Sequence, residues 1–255
     1  MTNSISAALS LRRLDFVRVA ALALAVGTWG TELSAQATDK PGPTKSQSGR
    51  VVVLGDSLAV SPSARESFPA RLQDYLNAAA IDLTVVNAGI RGDTTAGGLR
   101  RFRPLLTADT RMLIVELGVN DGLRGVEIAQ IEQNLSTIIK AAQGKSIPVL
   151  LCGMLVPPRF GWEYAIAFPQ VFQRVAAKYQ VPLVPFLLEG VALIANMNGP
   201  DGIHPNAAGA KRIADTVWRW LQPMLQEEHG TTKPFRPKRT RIRRHLCVDH
   251  GPRDP

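Results

Sequence analysis

The sequence predicts an α/β domain in which a parallel β-sheet lies between two layers of helices. Short aliphatic runs without polar alternation, such as residues 51–54, are typical of strands buried on both faces of a sheet. Longer segments with apolar residues at helical spacing alternate with these runs. The chain has 255 residues, of which 45% are hydrophobic and 20% charged, so it can form one globular domain with a sizeable core plus appendages.

The first three elements are predicted before residue 90. The strand at residues 51–54 ends at Gly55, which allows a sharp turn at its carboxyl end. Residues 66–80 predict a helix, because apolar side chains recur there at helical spacing, at Phe68, Leu72, Tyr75 and Leu76. Residues 83–87 then predict a second buried strand.

The rest of the domain repeats this alternation. The remaining strands are predicted at residues 112–117, 147–151 and 182–185. The remaining helices are predicted at residues 94–106, 127–142, 165–179 and 206–225. Thr94 or Thr95 can cap the first of these helices, and Pro205 lies near the start of the last. Because alternating elements favour right-handed crossovers, we expect a flavodoxin-like three-layer α/β/α sandwich with five parallel strands and no internal repeat.

Residues 1–37 have the features of a secretory signal peptide. A short apolar run at residues 19–26 is followed by a small-x-small cleavage site at residues 35–37. The basic residues before the run are Arg12, Arg13 and Arg18. The run is far shorter than the roughly 20 residues that span a bilayer, which argues against the alternative of an uncleaved anchor. We therefore expect a periplasmic or secreted protein, and the adjacent arginines are compatible with twin-arginine export.

Two segments that flank the domain at residues 51–228 are not expected to fold. Residues 38–50 are rich in Pro, Gly, Ser and Lys, which is typical of a flexible linker. Residues 229–255 are basic and lack apolar periodicity, whereas residues 41–228 contain 18 Lys or Arg and 16 Asp or Glu. The formal charge of +9 therefore comes mostly from the tail. A basic tail could bind nucleic acid or an anionic surface, but we interpret it as a solvated, disordered end with no nucleic-acid partner.

The two cysteines, Cys152 and Cys247, are expected to be free thiols. Cys152 lies in a strand pattern and Cys247 in the tail, so a bridge would join a core strand to a disordered end. In an oxidising compartment Cys247 would be open to intermolecular pairing. No Cys and His cluster has metal-ligand spacing, and no glycine-rich nucleotide loop is present, so we expect no metal and no cofactor. The sequence leaves the oligomeric state unknown.

Ser57 follows the first strand directly, in the segment Gly55-Asp56-Ser57-Leu58. In an open α/β sheet ligands bind at the carboxyl ends of the strands, so a hydroxyl held there is well placed to be a nucleophile. Gly-Asp-Ser is also a common turn, and Ser57 could instead cap the next helix. Groups from other loops are needed to decide between these interpretations.

Three further loops are expected at the same edge, because every strand-to-helix connection of this topology opens there. They are residues 87–93, 116–122 and 201–206. Each has a structural alternative. Gly92 could serve only to supply a positive φ, and residues 120–122 could be a simple turn. Asp201 or His204 could cap the last helix.

Together these loops supply the groups that acyl transfer requires. His204 can accept the proton of Ser57, and Asp201 can hold the imidazole in the required tautomer. The backbone amides of Ser57 and Gly92 and the carboxamide of Asn120 can stabilise a developing oxyanion. The sequence therefore predicts a serine hydrolase with a triad of Ser57, Asp201 and His204 and an oxyanion hole of Ser57, Gly92 and Asn120.

These residues resemble the SGNH, or GDSL, hydrolases, which are named for their Ser, Gly, Asn and His. The four blocks of that family are matched in order, by Gly55-Asp56-Ser57-Leu58, Gly92, Gly118-Val119-Asn120-Asp121 and Asp201-Gly202-Ile203-His204-Pro205. The resemblance extends over residues 51–225 and is closest to the exported bacterial branch of arylesterases and the periplasmic thioesterase I, or lysophospholipase. It implies the sandwich fold, the same triad and oxyanion hole, and activity on diverse esters and thioesters.

One loop departs from the pattern of this family. Residues 157–161 read Pro-Pro-Arg-Phe-Gly, where relatives tend to have Asn followed by Tyr. We expect Pro158, Arg159 and Phe160 to form a substrate loop that influences acyl or leaving-group preference.

The expected activity is hydrolysis of aryl or acyl carboxylic esters through an acyl-enzyme on Ser57. The expected partner is a small-molecule ester or a lipid substrate, without stable membrane insertion. One alternative is an acyl-CoA thioesterase or lysophospholipase with the same triad. The others are a peptide hydrolase and a non-catalytic ester-binding module.

Overall fold

The computed structural model describes residues 49–228, which contain a five-stranded parallel sheet. Its strands are β1 (Gly49–Gly55), β2 (Leu83–Asn87), β3 (Thr110–Glu116), β4 (Val149–Cys152) and β5 (Leu183–Val184). Their order is β2-β1-β3-β4-β5, and every neighbouring pair is parallel. The flavodoxin-like architecture is therefore confirmed. The predicted signal peptide, the predicted linker up to residue 48 and the predicted tail from residue 229 lie outside the described residues.

Helices cover both faces of the sheet. Those of the described residues are α1 (Ser57–Val60), α2 (Phe68–Ala78), α3 (Thr95–Arg101), α4 (Val119–Leu123), α5 (Ile128–Gln143), α6 (Trp162–Tyr179) and α7 (Ala207–Glu228). α2 packs against α7, and α5 packs against α3 and α6. Right-handed crossovers that run in opposite directions from β1 place these two groups on opposite faces. No helix between residues 49 and 228 is both long and apolar enough to cross a membrane.

The core is centred on β1 and β3. The side chains of residues 51–54 and 112–115 are fully buried, because each strand has a neighbour on both sides and helices on both faces. Burying one such aliphatic side chain contributes about 1.5–3 kcal/mol relative to leaving it exposed. Gly55 pairs with Glu116 at the carboxyl ends of the two strands. The chain segments that leave β1 and β3 therefore start side by side.

β1 begins at Gly49, two residues before the predicted start of the domain at residue 51. Gly49 pairs with Leu83 of β2, and Arg50 pairs with Thr84. The Arg50 guanidinium also lies 2.8 Å from the Asp109 carboxylate, just before β3. Residues 49 and 50 therefore belong to the sheet, and the predicted linker at residues 38–50 is too long by these two residues. Pairing with a distant strand decided this boundary.

The helix predicted at residues 94–106 is shorter than expected. α3 ends at Arg101, and a 3₁₀ turn follows at Arg103–Leu105. Pro104 lies at the start of this turn, and proline has no N–H with which to continue the α-helical bonding of α3. Two short helices, α1 and α4, occupy segments that were predicted as loops.

Cys152 ends β4 and is a buried, free thiol. Burial, followed by the nearby Glu116 carboxyl group, raises the pKa of this thiol well above its usual value. The side chain therefore acts as a small apolar core residue. Cys247 lies outside the described residues.

Candidate active site

Ser57 is the first residue of α1, immediately after β1. The cap of this helix is Asp56, whose Oδ1 accepts a hydrogen bond from the Leu58 N–H at 2.9 Å. The alternative in which the Ser57 side chain caps the helix is therefore not what the structure contains. The Ser57 hydroxyl is left available for a partner from another loop.

That partner is His204. Its Nε2 lies 2.9 Å from the Ser57 Oγ, although the two residues are 147 positions apart in the chain. The His204 Nδ1 lies 2.6 Å from the Asp201 Oδ2. In the tautomer whose proton is on Nδ1, that N–H donates a hydrogen bond to Asp201. The unprotonated Nε2 can then accept the proton of the Ser57 hydroxyl.

Asp201 is held by its own loop as well as by the imidazole. Its Oδ1 accepts hydrogen bonds at 3.0 Å from the backbone N–H groups of Ile203 and His204. The bond with the His204 ring and then these two amide bonds lower the pKa of Asp201 far below its usual value. Asp201 is therefore ionised, and one carboxylate fixes both the loop and the ring.

The loop that carries Asp201 and His204 is held by hydrogen bonds to the segment at residues 191–199. Gly199 donates its N–H to the His204 carbonyl at 2.8 Å, and Asn198 forms an isolated antiparallel bridge with Pro205. The Asn198 side chain is buried and donates to the carbonyls of Val191 and Ile194. These contacts fix the position of His204 in the segment that leads into α7.

Asn120 lies in α4, on the loop that follows β3. Its Nδ2 donates to the Asp56 Oδ2 at 3.0 Å, which joins the carboxamide to the residue next to Ser57. α4 begins after Gly118, whose φ is +122°, and a Cβ there would lie 2.9 Å from the Phe172 ring. Both the backbone angle and the lack of space require glycine at this position. Asn120 is thus positioned by Gly118 and by Asp56.

Gly92 lies in the loop that follows β2, with φ of +72°. Its carbonyl accepts a hydrogen bond at 3.0 Å from the Arg124 guanidinium, which comes from the end of α4. Among residues 49–228 no group accepts a hydrogen bond from the Gly92 N–H. The loops of Gly92 and Asn120 are therefore joined, and the Gly92 amide is available as a donor.

Sequence reasoning missed the role of Asp56 and Glu116. Asp56 is fully buried, and burial raises its pKa to about 6 against the opposing effect of the bonds from Leu58 and Asn120. Glu116 ends β3, is also fully buried, and accepts the Asp56 N–H at 3.0 Å. Burial and then the adjacent Asp56 charge raise the pKa of Glu116 well above its usual value. The available signal was a carboxylic residue at the end of each of two apolar strands.

Two further contacts brace the site. Arg101 of α3 pairs with Asp93 at 2.7 Å and donates to the carbonyls of Gly55 and Ala88. It therefore ties together the chain segments that leave β1 and β2. No local pattern around Arg101 predicts these contacts, because its partners lie in two other parts of the chain.

Asp121 is the second contact. It accepts the Thr95 N–H at 2.8 Å and the Thr95 hydroxyl at 2.6 Å, which joins α4 to the start of α3. Burial raises the pKa of Asp121, and the two bonds from Thr95 oppose this. Asp121 is a structural neighbour of Asn120 rather than a member of the hydrogen-bonded chain at Ser57.

The predicted substrate loop is exposed. The Phe160 ring packs against Gly125 and meets Tyr164 edge-on, with ring centroids 5.8 Å apart. The backbone carbonyl of Pro158 accepts from Gly161 at 3.3 Å, and Arg159 makes no ion pair with a described residue. Within residues 49–228, no hydrogen bond joins this loop to Ser57 or His204.

A metal site is not apparent in the described part of the chain. Between residues 49 and 228, no three His, Cys, Asp or Glu side chains come together in a way that could hold a metal ion.

Comparisons with known proteins identify the family of this chain. Residues 53–212 match the GDSL-like Lipase/Acylhydrolase family. The chain is 43% identical over 178 residues to Esterase TesA of Pseudomonas aeruginosa, which covers 69% of this chain and 89% of that protein. It is 38% identical over 181 residues to Thioesterase 1/protease 1/lysophospholipase L1 of Escherichia coli strain K12, which covers 70% and 86%.

A solved structure shares the fold. The psychrotrophic esterase EstA from Pseudoalteromonas sp., in a structure inhibited by monoethylphosphonate, superposes with a TM-score of 0.66. It is 28% identical, and the match covers 70% of this chain and 99% of that one. The family match, the two sequence relatives and this fold lead to one conclusion, that the chain belongs to the GDSL-like lipase/acylhydrolase family.

Proposed function

We propose that Ser57 is the nucleophile of this carboxylic ester hydrolase and that Asp201 and His204 complete its triad. The observation that carries the proposal is the continuous path from the Ser57 Oγ through the imidazole to Asp201, with distances of 2.9 and 2.6 Å. A serine, a base and an oriented carboxylate in this arrangement are what acyl transfer requires.

In the first half of the reaction, His204 accepts the hydroxyl proton while the Ser57 Oγ forms a bond to the carbonyl carbon of the ester. The carbonyl oxygen becomes an oxyanion, for which the amides of Ser57 and Gly92 and the Asn120 carboxamide are the donors. When the intermediate collapses, His204 returns the proton to the departing alcohol. The acyl group is then esterified to Ser57.

In the second half, a water molecule gives its proton to His204 and attacks the acyl carbon. Collapse of this second intermediate restores the Ser57 hydroxyl and releases the carboxylic acid. Because Asp201 stays ionised, it stabilises the imidazolium that forms in both halves.

We also propose that the mature enzyme acts outside the cytoplasm. The features of residues 1–37 support export, and N-terminal sequencing of the enzyme recovered from its native compartment tests it. A mature chain that begins near Thr38 is expected. A mature chain that still begins at Met1 would contradict it.

The substrate class follows from that location. Little acyl-CoA is expected outside the cytoplasm, and residues 41–228 carry nearly balanced charge, with 18 basic against 16 acidic residues and no evident basic cluster to bind CoA phosphates. The relatives include an esterase and a thioesterase that is also named as a lysophospholipase. We therefore propose uncharged aryl and short-to-medium acyl esters as preferred substrates and thioesters as secondary ones.

The nucleophile is tested with a fluorophosphonate probe. The wild-type enzyme should be labelled stoichiometrically. The Ser57→Ala variant should not be labelled, and its kcat should be lower by a factor of about 10⁵–10⁶. Ser63→Ala is the matched control, because its exposed hydroxyl bonds to Glu66 and should leave both measurements unchanged. Stoichiometric labelling of the Ser57→Ala variant would mean that another residue carries the chemistry.

The substrate class is tested with nitrophenyl esters of increasing acyl length beside the matching CoA thioesters. The esters should have the higher kcat/KM at each length. A preference for acyl-CoA across all lengths would favour a thioesterase instead. The absence of single-turnover acylation by any ester would favour a binding module.

A further inference from the structure

The large exposed hydrophobic side chains of the described residues lie in connections at one edge of the sheet. Eight large hydrophobic side chains between residues 49 and 228 are exposed. All eight lie in the connections that follow β2, β4 and β5 or in the first two turns of α6. Six of them, which we call the apolar rim, are Ile90, Leu155, Phe160, Trp162, Ile166 and Ile203. Monomeric proteins rarely concentrate such residues unless the surface has a binding role.

The apolar rim flanks the residues of the proposed triad. The Ile90 N–H donates to the Gly55 carbonyl at 3.1 Å, two residues before Ser57. Ile203 is 60% exposed and directly precedes His204. Two members of the rim therefore lie in the chain segments that adjoin Ser57 and His204.

One part of the rim is fixed in place by the core. Phe160 is 50% exposed, and its ring meets Tyr164, which stacks on Phe168 at 6.1 Å. Phe168 in turn meets the buried Phe172 at 5.5 Å. The Tyr164 hydroxyl also donates to the Val126 carbonyl at 2.7 Å. The fold thus holds an apolar ring toward solvent at a defined position.

Basic side chains accompany the rim. Arg91 follows Ile90 and Arg159 precedes Phe160, and both arginines are exposed. Neither forms an ion pair with any other residue in the described part of the chain. Glu163, in the first turn of α6, is an acidic residue beside them. Apolar side chains flanked by unpaired arginines fit a surface that is apolar below and anionic at its headgroups.

We propose that the apolar rim docks this enzyme onto the surface of an anionic lipid bilayer, so that esters held in the lipid reach Ser57 directly. The inference rests on the proposed function of Ser57. Trp162, Phe160 and their neighbours enter the headgroup region, and Arg91 and Arg159 contact lipid phosphates. The contact is peripheral and involves no transmembrane helix.

The apolar part of the contact is tested by the double variant Trp162→Ser/Ile166→Ser. These side chains are 72% and 60% exposed, lie one turn apart on α6, and are outside the proposed catalytic groups. Binding is measured by flotation of the full-length chain with phosphatidylglycerol vesicles, in a Ser57→Ala background that leaves the lipid intact. The double variant should bind at least about tenfold more weakly, since each lost contact removes apolar burial.

The basic part is tested by Arg91→Gln. It should weaken binding to phosphatidylglycerol vesicles severalfold and leave weak binding to phosphatidylcholine vesicles unchanged. Arg100→Gln is the matched control, because this exposed arginine lies in the last turn of α3, away from the rim. It should bind both vesicles as the parent does.

Activity separates docking from chemistry. With Ser57 intact, the double variant should keep its kcat/KM for a soluble nitrophenyl ester and lose about tenfold for the same acyl group held in vesicles. Vesicle binding equal to the parent would overturn the proposal. So would a dimer that the double variant converts to a monomer with vesicle binding unchanged. Failure of Ser57 to react with soluble esters, with vesicle binding still dependent on the rim, would overturn the proposed function alone.

Discussion

At the scale of single residues, Asp201 illustrates how one side chain serves two structural purposes. Its Oδ1 closes a turn by accepting two backbone amides, and its Oδ2 binds the His204 ring. The spacing of three residues between Asp201 and His204 is therefore the spacing of a turn. A serine that must give up a proton depends on the ring orientation that this turn sets.

The Asp201→Asn variant should keep the fold, and its kcat should be lower by a factor of about 10³–10⁴. The Asn side chain can still accept the amides of Ile203 and His204, but it favours the wrong imidazole tautomer. Steady-state kinetics on a nitrophenyl ester, with circular dichroism to check the fold, provide the measurement. A near-wild-type rate would remove Asp201 from the triad.

Asn120 should contribute in the transition state and Asp56 should act through Asn120. Asn120→Ala should lower kcat by about 10²–10³ with little change in KM, because the carboxamide is proposed to meet only the developing oxyanion. Asp56→Asn should lower kcat by about tenfold to a hundredfold, because an amide cannot accept both the Leu58 and Asn120 donors as a carboxylate does.

The double variant Asp56→Asn/Asn120→Ala distinguishes a positioning role of Asp56 from an independent effect on the reaction. If Asp56 acts by orienting Asn120, this variant should be no slower than Asn120→Ala alone. Losses that multiply would show that Asp56 affects the reaction by another route. A mainly raised KM in either single variant would indicate ground-state substrate binding.

At the scale of elements, the ends of β1 and β3 place two buried carboxyl groups side by side. Asp56 and Glu116 both have raised pKa values, mainly because of burial. Asp56 receives hydrogen bonds from Leu58 and Asn120, so it is the member of the pair that holds the negative charge at neutral pH. Glu116, whose pKa is raised well above its usual value by burial and then by the Asp56 charge, is the member that retains a proton more readily. The strand ends carry one charge where two carboxylates would repel each other.

This pair predicts that stability falls as the pH rises above about 4. Groups with raised pKa values bind more protons in the folded state than in the unfolded state, so the free energy of unfolding decreases with pH across that range. For Asp56 the range extends to about pH 6, the value of its pKa. The corresponding loss is about 3 kcal/mol. Glu116 extends the decrease to higher pH, since its pKa is raised further.

Glu116→Gln should flatten this dependence. The Gln carbonyl can still accept the Asp56 N–H, but the side chain no longer titrates. Urea unfolding between pH 4.5 and 8.5 should give a smaller decrease in stability than in the wild type, most clearly above pH 6. Glu132→Gln, on the exposed surface of α5 beside Arg174, is the matched control. Parallel curves for Glu116→Gln and the wild type would contradict a raised pKa of Glu116.

At the scale of the whole molecule, the strand order decides where the site lies. The chain moves from β1 to β2 in one direction and then crosses to β3 in the other, so the strand order reverses between β1 and β3. In open α/β sheets, this reversal point is where a crevice forms at the carboxyl edge. Ser57 leaves β1 and Asn120 leaves β3 at this point. His204 arrives from the connection after β5.

Removal of the basic tail should not change catalysis of soluble esters. Residues 229–255 show no apolar periodicity, and the groups proposed for the reaction lie between residues 57 and 204. A chain that ends at Glu228 should therefore keep kcat and KM for a soluble nitrophenyl ester. Kinetics of the full-length and shortened chains, measured at matched salt concentration, give the comparison. A loss of activity on truncation would mean that the tail contributes to the domain.

The sequence by itself determined the features that depend on local pattern. Aliphatic runs and helical spacing predicted the five strands and five of the helices, and the turn chemistry around Asp201 and His204 predicted a base beside its orienting carboxylate. The loops at the carboxyl edge of the sheet identified Ser57, Gly92 and Asn120 as candidates, and these residues match the family blocks. These features could be read because hydrophobic periodicity, turn residues and motif spacing are properties of neighbouring residues.

Only the tertiary structure decided which distant groups meet. The bond between Asn120 and Asp56, the buried pair of Asp56 and Glu116, and the bracing by Arg101 each join segments that are far apart in the chain. The start of β1 at Gly49 likewise depends on its pairing with β2. Burial and side-chain partners are set by packing across the sheet, and that packing raises the pKa of a carboxyl group or orients a carboxamide. Sequence spacing carries no record of these contacts.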